Sequence, residues 1–86
     1  MGRLHNAARK IVAKKKLDIL IEFTRSPKPK MKCRRQSFTP FVFLNITFND
    51  SGVICIENGG GDMAFYGKNE MEIQRAIKDI EWSISN

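Results

Sequence analysis

The chain has 86 residues, 42% of them hydrophobic, and a formal net charge of +6. That is enough apolar material for one domain spanning residues 1–86, burying about 60–65% of its unfolded surface, with little room for an enclosed catalytic cleft besides. A single histidine, His5, and two cysteines, Cys33 and Cys55, leave no disulfide scaffold, no metal-ligand cluster and no nucleophilic triad, so neither an enzyme nor a cofactor is expected.

The charge is unevenly spread. Residues 1–35 hold twelve bases against two acids, Asp18 and Glu22, a local charge of +10; residues 36–86 hold three bases and seven acids, −4. Solvating surfaces mix both signs, so this segregation points to a negatively charged partner, most commonly a phosphate backbone.

Leu4, Ala7, Ala8, Ile11 and Val12 recur at helical spacing and predict an amphipathic helix at the amino end. Arg3, Arg9, Lys10, Lys14 and Lys16 fall on or beside its outer arc, with Lys15 next to them. The helix lacks the aromatic or leucine-rich face that sinks into lipid, so no membrane partner is expected. Its charges interrupt any secretory h-region, and free thiols suit a reducing, cytoplasmic setting.

Leu17, Ile19, Ile21 and Phe23 then alternate with polar positions, predicting a strand. Pro27 and Pro29, with Arg25, Lys28, Lys30, Lys32, Arg34 and Arg35, predict a mobile basic loop over 25–37. From 38 to 48 the pattern is again β: Val42, Leu44, Ile46 and Phe48 share one face, and Phe41, Phe43, Asn45 and Thr47 the other. Asn49-Asp50-Ser51-Gly52 predicts a hairpin turn, Val53–Glu57 the return strand, 58–61 a flexible turn, and Asp62–Tyr66 a fourth strand.

Asn69 is an N-cap with Glu72 positioned to reach back to it, and Ile73, Ala76, Ile77, Ile80 and Ile84 predict a helix over 70–84. The fold class is α+β: an α-β-β-β-β-α order with a four-stranded antiparallel sheet and both helices on one face. This order is loosely similar to that of double-stranded-RNA-binding domains and of the small Alu-domain proteins of the signal recognition particle, a likeness of topology alone. The former open their last helix with a lysine cluster; here Asn69-Glu70-Met71-Glu72 stands instead.

Three surfaces are candidates for function. The first is the basic helix with the 25–35 stretch, contacting nucleic acid or a nucleoprotein, provided the two runs converge. The second is the open sheet face with Phe41 and Phe43, where Asp18 and Glu22 favour protein contact over base stacking. The third is Met71, Arg75, Lys78 and Trp82 on the outer arc of the last helix, a protein-docking stripe if Trp82 faces outward. Two functional classes follow. One is a non-enzymatic nucleic-acid-binding module. The other is an inhibitor of the kind phages and mobile elements encode, anti-CRISPR or anti-restriction in type, that blocks a host nucleic-acid-handling complex.

Overall fold

The computed structural model describes residues 2–25, 28–35 and 42–85. Its elements in chain order are α1 (Gly2–Lys15), β1 (Ile19–Thr24), β2 (Lys30–Arg35), β3 (Val42–Phe48), β4 (Ile54–Asn58), β5 (Met63–Tyr66) and α2 (Glu70–Ser85). The strands form one antiparallel meander, in the order β1-β2-β3-β4-β5. The expected α+β class and the two terminal helices are present. The strand count is not four but five.

The added strand is the basic stretch itself. Lys30–Arg35 pairs with β1 on one side and β3 on the other, so that part of the predicted loop is corrected. Residues 26, 27, 36 and 37 lie outside the described residues. Pro29 precedes the strand, where it costs the ladder nothing. Met31 and Cys33 alternate with Lys30, Lys32 and Arg34, and the two apolar side chains are fully buried. Burial on one face outweighs charge repulsion on the other, because cations at every second position stand about 7 Å apart in solvent.

The core lies between the sheet and the helices. Leu4 and Ala8 from α1 and Ala76, Ile80 and Ile84 from α2 meet Ile19, Met31, Cys33, Leu44, Ile46, Ile54 and Ile56. The helical stripes predicted for both ends are therefore the faces that bury.

The fifth strand also sets the helix direction. With five antiparallel strands, β5 runs parallel to β1, so helices that fold back from the two edges run parallel to each other. Two contacts confirm it: Arg3 pairs with Glu70 at the helix starts, and Lys15 Nζ donates to Ser85 Oγ at 2.9 Å at their ends. Four strands would have set them antiparallel.

Both later turns use one device. The Oδ1 of Asn49 accepts from the N–H groups of Ser51 and Val53, and that of Asn58 from Gly60 and Asp62, at 2.9–3.0 Å. Three residues after each Asn, Gly52 (φ +84°) and Gly61 (φ +89°) supply the left-handed step and donate back to the Asn carbonyl. The 58–61 turn is thus tied by four hydrogen bonds instead of being a flexible loop. Asn69 caps α2, its Oδ1 accepting from Glu72 N at 2.9 Å. The reciprocal half of the box is displaced: Glu72 Oε1 accepts from Gly67 N at 3.2 Å.

Candidate binding surfaces

The outer side of α1 carries exposed Arg9, Lys10, Lys14 and Lys16. Arg3 is on this helix too, but Glu70 accepts from both its terminal nitrogens, Nη1 and Nη2, and the Glu70 carboxyl is held down at about 2, first by Arg3 and then by Gln74. The helix ends in a Schellman motif: Leu17 N donates to Val12 O at 3.0 Å and Lys16 N to Ala13 O at 3.4 Å. Lys16 takes the left-handed position at φ +52°, where glycine is the usual residue.

Beside α1, the His5 ring stacks on Phe23 of β1 at 4.7 Å between centroids, and the Arg25 guanidinium lies 5.8 Å from the centre of the same ring. A groove of about 590 Å³ runs between α1 and β1, with Val12, Ala13, Ile19 and Ile21 along it and Arg9 and Lys10 at its rim. His5, Asn6 and Arg9 continue it toward Phe23, Arg25 and Pro29. Burial, then the charges of Arg9 and Arg25, lower the His5 imidazole below its ordinary value. The imidazole thus feels a positive field from both helix and strand side.

The opposite face of the sheet holds the β2 cations Lys30, Lys32 and Arg34, whereas Arg35 stands opposite the core residue Ile19. Register places Glu22, Lys32, Asn45, Glu57 and Met63 in one row across the five strands, and Thr24, Lys30, Thr47, Cys55 and Phe65 in the next. Here acids intervene. Arg34 forms an ion pair with Glu22 at 3.3 Å, without hydrogen-bond alignment, and Lys28, before β2, pairs with Asp50 at 2.6 Å. Phe43 is not an outward aromatic. Pairing slips one residue between Cys33 and Arg34, and Phe43 packs partly buried against the core with Arg35 5.3 Å from its ring centre. Phe41 lies outside the described residues. The exposed apolar side chains of this face are instead Met63 and Phe65, 54% and 64% accessible. Their alternation with Ala64 and Tyr66 was the signal that could have found them.

On α2, Met71 and Trp82 are 74% and 70% accessible, with Arg75 and Lys78 between them on the same outer arc. Trp82 does not fold under the sheet. Arg75 pairs with Glu72 at 2.9 Å and stands 6.0 Å from the Tyr66 ring centre. Tyr66 donates to Asp79 Oδ2 at 2.6 Å; burial and that carboxylate push its hydroxyl up to about 12.

The two basic runs therefore do not converge. Lys10 and Lys14 lie on the helix layer, while Lys30, Lys32 and Arg34 leave the sheet on the side away from it. Arg25, at the end of β1, joins the helix set through Phe23 and His5. The cysteines are separated in the same way. Cys33 is buried beneath the helices, its thiol pushed up to about 12 by burial, whereas Cys55 shares the open-face row with Phe65. Among the described residues no three His, Cys, Asp or Glu side chains assemble as metal ligands, and no helix is long and apolar enough to cross a membrane. No protein-family model, curated protein or solved structure matches the chain.

Proposed function

We propose that the protein is a non-enzymatic module that binds the phosphate backbone of nucleic acid through α1 and the end of β1, using Arg9, Lys10, Lys14, Lys16 and Arg25. The observation that carries this reading is the contrast in pairing. Arg3, Lys28 and Arg34 are engaged by carboxylates, whereas no carboxylate pairs with these five among the described residues; Lys30, Lys32 and Arg35 have no carboxylate partner there either, but Lys32 shares its row across the sheet with Glu22 and Glu57. Lys16 adds to it: a cation occupies a strained position where glycine would be less costly. Five phosphate contacts release counterions with a slope of about −4.5 in log K against log salt. Fluorescence anisotropy with a labelled duplex and a labelled single strand across a salt series measures it. Absence of binding at about 50 mM salt ends this reading. A reducing cytoplasm is the setting proposed with it, consistent with a buried thiol at Cys33.

A second reading rests on Met71 and Trp82. A large aromatic and a methionine held in solvent beside Arg75 and Lys78 are the composition of an interface anchor. In that reading the protein is an inhibitor that docks through α2 on a nucleic-acid-handling complex, and α1 meets the nucleic acid or its channel. Trp82→Ala then abolishes capture of the complex while leaving binding to free duplex intact.

A further inference from the structure

Each sheet edge leaves one side of a strand's N–H and C=O groups without a ladder, a template for another strand. The two edges of this sheet are unlike. β5 has four residues, preceded by Asp62 and facing Asp79 of α2. β1 has six, Ile-Leu-Ile-Glu-Phe-Thr, and among the described residues nothing pairs along its outer side. The groove described above follows this edge. Six strand residues span about 20 Å, and so do the fourteen of α1 at about 1.5 Å each, so helix and edge flank the channel for its whole length. Its floor is apolar at Ile19 and Ile21, and its rim is cationic at Arg9, Lys10 and Arg25.

We propose that the β1 edge receives an extended, acidic segment of a partner protein as a sixth strand. The outer amides and carbonyls of β1 supply the ladder. Alternate side chains of the incoming segment enter the groove, apolar ones against Ile19 and Ile21 and carboxylates toward Arg9, Lys10 and Arg25. Charge selects this occupant over a second copy of the chain, which would bring the same cations to the seam. A nucleic acid satisfies the rim but offers no peptide groups to the edge. Because Arg9 and Arg25 also serve the proposed phosphate surface, the acidic strand and nucleic acid exclude each other.

The test uses the full chain and a labelled peptide of about nine residues that carries both Val and Glu at its alternate, groove-facing positions and Thr between them, long enough to cover β1. Saturating peptide should slow hydrogen exchange of the outward amides within residues 19–24 by about tenfold or more and leave β5 unchanged. An added strand uses one of its own two edges, so of two peptides N-methylated on opposite edges, one should bind and the other should not. Equal binding by both shows mere charge attraction and overturns the proposal. So does protection at β5 in place of β1, or protection of 19–24 by a duplex but not by the peptide. Light scattering that finds a dimer protecting 19–24 without peptide overturns it in favour of a second copy. R9E combined with R25E should weaken the peptide at least about tenfold. If that variant misfolds, the N-methyl comparison on the unaltered chain still decides.

Discussion

Residues 3–16 and 25–35 carry six cations each, yet they fold into opposite kinds of surface. The first run is helical, and a period of 3.6 gathers its charges on an arc away from the core. The second is largely strand, and a period of two sends Lys30, Lys32 and Arg34 to the open face while Met31 and Cys33 go under the helices. Arg34 there meets Glu22, and Lys28, ahead of the strand, meets Asp50. On the helix only Arg3 meets an acid. Equal charge in sequence becomes unequal charge in space, because the backbone period decides which acids lie within reach.

The sharpest way to break this contrast is the core side of β2. Met31→Ala should cost about 2–5 kcal/mol in urea unfolding, as for any large buried side chain. A loss within about 0.5 kcal/mol would mean the stretch is an exposed loop. Next is the charge itself. Lys10→Glu with Lys14→Glu should lower duplex affinity by about 10–100-fold at low salt, and Lys30→Glu with Lys32→Glu by about threefold or less. Equal losses would show that both surfaces are engaged.

Lys16→Gly separates strain from charge on the helix side. Relief of the left-handed lysine should raise stability by about 0.5–1 kcal/mol, while the salt slope loses about 0.9. A destabilised variant would mean that the Lys16 side chain holds the helix end.

The smallest effect concerns the pair that removes Arg3 from the cationic arc. The Glu70 carboxyl is depressed from 4.5 to about 2, chiefly by the Arg3 hydrogen bonds. A depressed carboxyl contributes stability that is complete above about 4.5 and lost as pH falls through about 2. Glu70→Gln should therefore melt slightly below the unaltered chain near neutral pH, and the gap should close between those two values. Solvent screens the exposed pair, so the gap is small. A gap that persists in acid would assign the effect to packing.

Elements with a local signature were readable from residue types. The apolar stripes of both helices, the alternation from Leu17 to Phe23 and from Val42 to Phe48, and the Asn-to-Gly turns each follow from backbone geometry within a few residues. The Asn69 cap belongs with them, because its bond closes within one turn. At Lys30–Arg35 the local signals pointed the other way. Prolines and like charge argue for a loop, and only neighbours far along the chain reverse that. Met31 needs Phe23 on one side and Ile46 on the other, and Cys33 needs Ile21 and Leu44.

From that single reversal come the parallel helices, the burial of Cys33 and the division of the cations between two faces. The placement of Phe43 was hidden for a similar reason, since a register slip between strands leaves no mark in either strand alone. The amino-acid order, then, specifies periodicity, turns and the overall excess of positive charge. Which cations keep that charge, and which edge stands open beside them, depends on pairings between distant residues, whose energies exist only once the sheet has assembled.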